Sequence, residues 1–157
     1  YHRARAELSN PKLSLNERLA NGIQALKEFA TSDPSSLLSK LALMESAEAY
    51  ARQSNFEESI DVFQKVIDSS EETPFLQNLA RLSLAAIYEQ KQMWIESKKM
   101  LDSIKNSDWN DVRWRALARI AIAKGELEEA KTLLNELLEK APDSLFRQEA
   151  EILLLSL

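Results

Sequence analysis

A short pattern of small and bulky residues recurs three times along the chain. It reads Ala47-x-x-Tyr50 with Ser54-Asn55-Phe56-x-x-Ser59-x-x-x-Phe63, then Ala85-x-x-Tyr88 with Gln92-Met93-Trp94-x-x-Ser97-x-x-x-Leu101, then Ala118-x-x-Ala121 with Gly125-Glu126-Leu127-x-x-Ala130-x-x-x-Leu134. Apolar positions three and four apart share one face of a helix, and a turn divides each copy into two such faces. A small residue on each helix lets the two backbones approach, and the bulky residue seats the pair on its neighbour. Each copy is therefore a helix, a tight turn and a second helix. Such hairpins cannot bury their apolar faces alone, so the pattern predicts stacked neighbours and an all-α chain.

The turns lie 38 and then 33 residues apart, which brackets the 34-residue period of tetratricopeptide repeats. The chain resembles that family, and the resemblance implies a tetratricopeptide-repeat α-solenoid that holds protein partners. Two glycines and four prolines in 157 residues agree with helices joined by short turns, because sheets and phosphate-cradling loops consume glycine. The expected organisation is one domain over residues 1–157. Residues 1–9 read as weakly helical, with Tyr1, Ala4, Arg5 and Leu8 at helical spacing, and stop at Asn10-Pro11. Residues 14–34 form the second half of a degenerate first unit, with Gly22, Leu26 and Phe29 at its contact positions. Ser35 or Ser36 caps the next helix. Three repeats follow at 36–69, 75–105 and 109–140, the polar loop Ser69–Pro74 accounting for the longer first spacing. A last helix over 144–156, with Leu145, Ile152, Leu153 and Leu155, reads as the cap of the stack. Its Leu153-Leu154-Leu155 run also fits a dimer contact or a truncated further helix.

Charge and residue types exclude several functions. The net charge of −5 disfavours non-specific binding to nucleic acid or anionic lipid. Six bases and four acids fall in residues 1–40, seven and twelve in 41–108, and seven and nine in 109–157, so the acidity sits in the middle. There is no cysteine, which removes disulfides and thiolate metal sites and leaves the compartment open. The single histidine, His2, has no set of partners for a triad or a zinc site. No glycine-rich loop offers a phosphate cradle, and the carboxylate pairs Glu45/Glu48 and Glu126/Glu129 are ordinary helical neighbours. The expectation is a non-enzymatic protein without cofactor or metal. No apolar run approaches the ~20 residues of a membrane span. The chain begins at Tyr1, and it is expected to be part of a longer or processed product.

The candidate binding residues lie on the first helix of each repeat, on the face turned to the concave side. Carrying the register across gives Leu41, Met44, Glu48 and Arg52, then Leu79, Leu82, Ala86 and Glu89, then Val112, Arg115, Arg119 and Ile122. This groove is mostly apolar with a basic end at Arg115 and Arg119. Families that grip a partner's C-terminal carboxylate place Lys, Arg and Asn along this face. Here the stretches read Leu43-Met44-Glu45-Ser46, Leu82-Ser83-Leu84-Ala85 and Arg115-Ala116-Leu117-Ala118, and that clamp is absent. An apolar groove suits an amphipathic helix, either a partner's or the chain's own N-terminal helix folded back. Tyr50, Tyr88, Trp114, Phe56 and Trp94 read as packing residues, whereas Trp109 fits either a surface anchor or the core.

A narrower likeness begins at Leu101. Leu101-Asp102-x-Ile104-Lys105, then Trp109, then Lys124-Gly125-Glu126 resembles the YfgM-type tetratricopeptide family, ancillary subunits of the bacterial Sec translocon. Glu28-Phe29-Ala30 in the first long helix is also similar, and the likeness departs at Leu117-Ala118-Arg119. The resemblance implies a periplasmic domain tethered to the inner membrane by a helix upstream of Tyr1. Its partners would be translocon subunits, periplasmic chaperones or emerging chains. The bulk properties alone also fit a cytoplasmic assembly scaffold or secretion chaperone, and the Leu-rich terminal helix a homodimer.

Overall fold

Three turns of one geometry organise the molecule. The computed structural model describes all residues, Tyr1–Leu157, and contains helices and no strands. Ser54, Gln92 and Gly125 each adopt a left-handed backbone, with φ of 62°, 57° and 78°. At each turn the next residue's N–H donates back to a carbonyl five residues earlier: Asn55 to Tyr50 at 3.0 Å, Met93 to Tyr88 at 2.9 Å and Glu126 to Ala121 at 2.8 Å. The left-handed residue itself donates three residues back, Ser54 to Ala51, Gln92 to Glu89 and Gly125 to Ile122. This paired closure satisfies carbonyls that a helix C-terminus otherwise leaves bare. The chain then re-enters a helix at once, which places Ser59, Ser97 and Ala130, all fully buried, on the inner face of the second helix. Ala47, Ala85 and Ala118 are buried on the first helices, and Phe63, Leu101 and Leu134 are the buried bulky residues. The recurring pattern and the recurring turn are thus one device.

The chain divides into two compact units, Tyr1–Ile87 and Tyr88–Leu157. The first holds α1 (His2–Leu8), α2 (Leu15–Ser32), α3 (Leu37–Arg52), α4 (Phe56–Asp68) and most of α5 (Pro74–Gln90). Ser14 and Glu17 cap α2 reciprocally: the Glu17 N–H donates to Ser14 Oγ and the Ser14 N–H to Glu17 Oε2. The Ser14 hydroxyl also donates to Glu17 Oε2 at 2.6 Å, and this bond first, then the Ser14 N–H, holds the Glu17 carboxyl below its usual range. Ser36 is the cap of α3, accepting from the Ser39 N–H at 3.1 Å. α1 and α2 pack closely because Gly22 leaves room for the Leu8 side chain. One cluster joins Ala4, Ala25, Leu26 and Ala42, and another joins Leu19, Ile23 and Ala49. α4 buries Ser59, Val62, Phe63, Val66 and Ile67, a stripe at helical spacing. Its first-turn Glu57 and Glu58 complement the positive end of the helix dipole. The loop before α5 is anchored: Ser70 is fully buried, and Gln77 Nε2 donates to the Ile67 carbonyl at 3.0 Å. Pro74 opens α5, where its missing N–H costs nothing.

The second unit holds α6 (Trp94–Asp102), a short 3₁₀ turn (Ser107–Trp109), α7 (Asn110–Lys124), α8 (Leu127–Lys140) and α9 (Arg147–Ser156). α6 ends three residues before the expected Lys105. Ile104 is fully buried and its carbonyl accepts from Arg113 Nη1 at 3.0 Å, which draws the segment out of helical register. Trp114, Ala118, Leu134, Leu137 and Ala150 form the core of this unit. Leu153, Leu154 and Leu157 of the C-terminal segment pack against it, while Leu145, Ile152 and Leu155 are exposed. The apolar run is therefore two-sided, with Leu155 turned outward. α9 also starts at Arg147 rather than 144, because residues 141–146 form turns closed by the Ser144 N–H on the Ala141 carbonyl.

Candidate protein-binding surfaces

In the first unit, α1, the start of α2, one face of α3 and Leu79 of α5 enclose a concave pocket of about 560 Å³. Leu41, Met44, Glu48 and Arg52 recur every three to four residues along α3, so a straight helix presents them as one ridge. These four and Leu79 are the candidate residues that the structure brings together. Met44 is nearly buried and serves as floor, Leu41 and Leu79 are half-buried, and Glu48 and Arg52 reach solvent. Leu82 and Ala86 lie further along α5, half-buried and outside this pocket.

Sequence reasoning missed the opposite wall. Tyr1, Arg5 and Leu8 of α1, with Leu15 and Leu19 of α2, line the same pocket. Their helical spacing was visible, but the repeat register does not extend to the first 14 residues. α1 acts here as a wall rather than a plug. The Tyr1 ring packs on Phe29 with centroids 5.8 Å apart, and its hydroxyl donates to Glu45 Oε2 at 2.9 Å. That bond, followed by burial, raises the Tyr1 hydroxyl above its ordinary value. Arg5 adds a longer ion pair to Glu45 at 3.9 Å. Glu45 is thus engaged by α1, whereas Glu48 makes no hydrogen bond or ion pair. Burial against the pocket wall pushes the Glu48 carboxyl up. Arg52 draws it down at longer range, and Glu45 adds to the rise.

In the second unit the candidate cations have carboxylates in hand. Arg119 makes a two-pronged contact with Glu89, at 3.0 and 3.1 Å through Nη2 and 3.3 Å through Nε. Arg115 Nε donates to Glu149 Oε2 at 2.7 Å, and its guanidinium lies 4.5 Å from the Phe146 ring centroid. Arg115 therefore ties α7 to the α9 segment, and each of the two positive charges is balanced locally. Val112 and Ile122 are half-buried on the same helix. Glu126 pairs with Lys124, and Glu129 pairs with Lys98 at 2.9 Å. The latter bond, the largest influence on both groups, lowers Glu129 and raises Lys98. Tyr50 and Tyr88 are half-buried, Trp114 is buried, and Trp109 is half-buried. No group of three or more His, Cys, Asp or Glu side chains is placed to hold a metal ion, and no helix is long and apolar enough to cross a membrane.

Helix hairpins closed by one repeated turn, with a concave pocket of mixed apolar and charged side chains in the first unit, define a helical-repeat interaction scaffold. The tetratricopeptide repeat model matches residues 41–71 and 115–144. Those two segments are similar to tetratricopeptide repeats, and the chain as a whole takes an all-α, repeat-like fold. The pair α5–α6 lies outside the matched segments but has the same turn, at Gln92. Among solved structures, the fold is similar to a kinesin light chain-like protein of Podosopora anserina with nearly identical TPR-like repeats. The identity is 16%, the TM-score 0.65, and the match covers 92% of this chain and 78% of that one. It is also similar to MamA, residues 41 to the end, from Desulfovibrio magneticus RS-1, with 14% identity, a TM-score of 0.62, and coverage of 92% and 78%. These identities show the fold alone. The sequence matches no curated protein.

Proposed function

We propose that the protein is a non-enzymatic scaffold that holds a partner protein on the concave faces of its repeats. The observation that carries this reading is the pocket of about 560 Å³ along α3, walled by α1 and lined by repeat-register residues. Its apolar side chains favour burial against a partner, and its charged rim sets orientation. Leu82 of the first unit and Arg115 of the second are further candidate contact residues, each taken within its own unit. Replacing either weakens partner binding. Because Arg115 also holds α9, its variant needs a helicity check alongside the binding assay.

At a finer level, the scaffold is a periplasmic adaptor tethered to the inner membrane, linking the Sec translocon to chaperones or emerging chains. The support is the likeness of Leu101-Asp102-x-Ile104-Lys105, Trp109 and Lys124-Gly125-Glu126 to the YfgM-type family. The test is the complete gene together with fractionation. The reading expects an apolar segment of ~20 residues upstream of Tyr1 and recovery of the protein in the membrane fraction. A complete reading frame without such a segment, and a protein found in the soluble cytoplasm, would favour a cytoplasmic assembly scaffold instead.

A further inference from the structure

The outward face of α9 continues the register of the hairpins. Ala47, Ala85 and Ala118 hold one place in the three copies, and Ile152 stands 34 residues beyond Ala118, one repeat period further on. Burial supports that alignment. Ala116 and Ile120 of α7 are buried, and their counterparts in α9, Ala150 and Leu154, pack into the core of the second unit. Trp114, Ala118 and Ala121 of α7 are buried as well, the first two in one cluster with Leu134 and Leu137 of α8. Their counterparts Gln148, Ile152 and Leu155 are exposed, Ile152 at 59% and Leu155 at 90%. Leu145, in the turn before α9, is 95% exposed. α9 is therefore built as the first helix of a further hairpin, and the side that a second helix covers in the earlier hairpins lies open.

Side-chain size limits what fills that seat. Each earlier hairpin places alanine where its helices touch, at most 1% exposed, and the second helix closes onto that small residue. Ile152 stands in its place, and its branched side chain holds a covering helix further off, toward the wide end of the ~8–10 Å range for packed helices. That separation suits bulky side chains meeting bulky ones. The exposed face supplies them in a symmetric order: Leu145, Gln148, Ile152 and Leu155 are spaced three, four and three residues apart, which reads the same in both directions. An antiparallel copy of the segment therefore presents the same face in register. The charges of α9 are already matched, Arg147 with Glu151 at 3.0 Å and Glu149 with Arg115 at 2.7 Å, so such a contact buries no unpaired ion.

We propose that this face seats the α9 of a second copy of the chain, the two helices packing antiparallel about a two-fold axis. Leu145 lies opposite the partner's Leu155, and Ile152 lies beside the axis. Three apolar side chains and their flanks fall short of the ~800 Å² per partner of a standard interface, so the dimer is weak and forms as concentration rises. It carries two copies of the first-unit pocket, and a partner with two binding segments is held more tightly than by one chain.

The test is sedimentation equilibrium of the whole 157-residue chain. Between about 5 and 500 µM it is expected to pass from monomer to dimer, with half-association at about 10–100 µM. Leu155→Glu is expected to weaken association at least about tenfold by placing a carboxylate in an apolar contact. Leu155 is 90% exposed, so this variant keeps its fold, as circular dichroism and tryptophan fluorescence check. The chain has no cysteine, so single cysteines report the pairing directly. A disulfide closes only where two Cα atoms come within about 7 Å. A mixture of the Leu145→Cys and Leu155→Cys chains is therefore expected to crosslink several-fold faster than either chain alone. A chain that stays monomeric at about 500 µM overturns the proposal and leaves the open face to a helix of another kind. A dimer indifferent to Leu155→Glu, or crosslinking no faster in the mixture, overturns it as well. The scaffold reading is judged separately, by whether Leu82 and Arg115 variants lose the natural partner.

Discussion

Gly125 allows the repeated turn to be tested at a single atom. Its φ of 78° is left-handed, and a Cβ built there meets no other atom within 4 Å. The cost of Gly125→Ala is therefore backbone strain without a steric clash. A residue with a Cβ loses about 1–2 kcal/mol in this conformation. Alanine returns about 0.4–1 kcal/mol by restricting the unfolded chain. The net loss is on the order of 1 kcal/mol, or a Tm drop of about 2–4 °C for a chain of this length. The reverse changes follow from the same arithmetic. Ser54→Gly and Gln92→Gly relieve strain at φ of 62° and 57° and are stabilising, by up to about 1 kcal/mol. All three tryptophans, Trp94, Trp109 and Trp114, lie in the second unit, so tryptophan fluorescence during urea unfolding reports that unit directly. Gly125→Ala must shift this transition to lower urea. If it is neutral or stabilising, or if Ser54→Gly destabilises the first unit, the left-handed closure does not organise the hairpins as argued.

Three further outcomes are expected. Ala118→Leu places extra volume at a fully buried contact between α7 and α8 and costs the second unit about 1–3 kcal/mol, measured by the same fluorescence transition. Ser59 Oγ is buried without a hydrogen-bond partner at the position where the third repeat has Ala130, so Ser59→Ala stabilises the first unit by about 1 kcal/mol in chemical denaturation followed by far-UV circular dichroism. Glu48 has a folded-state value raised above the ordinary 4.5, so the native state binds its proton more tightly than the unfolded chain does. Its contribution to stability is then most favourable below the unfolded value and is lost as pH rises through the folded one. Glu48→Gln is accordingly more stable than the parent at neutral pH. Thermal melts taken across the acidic range show this advantage shrinking to nothing below about pH 4.

The hairpins were legible because one residue type recurs for one physical reason at each place. Ala47, Ala85 and Ala118 are small where helices touch, and Gly125 marks a turn that Ser54 and Gln92 repeat with a Cβ in place. The start of α3 was readable from Ser36, one of the two serines expected to cap it, and the starts of α4 and α8 at Phe56 and Leu127 from the turn before each. The end of α6 was not, because Ile104 looks like one more helical apolar residue until Arg113, nine residues on, claims its carbonyl. In the candidate site, the register placed Leu41, Met44, Glu48, Arg52 and Leu79 around one pocket. It could not reveal that Tyr1, Arg5 and Leu8 form the facing wall, since that depends on Gly22 admitting Leu8. The pairing of Arg115 with Glu149 and of Arg119 with Glu89 spans 34 and 30 residues, a separation at which sequence spacing says nothing about contact.

The most direct test of the scaffold reading is site-specific photo-crosslinking in the native cell, with the probe at Leu41 or Leu79 inside the pocket and at Gln64 on an exposed face of α4 as control. Leu41 and Leu79 are predicted to capture one and the same partner protein, while Gln64 does not. Equal capture from all three positions, or capture from Gln64 alone, would contradict the claim that the concave face of the repeats is where this protein holds its partner.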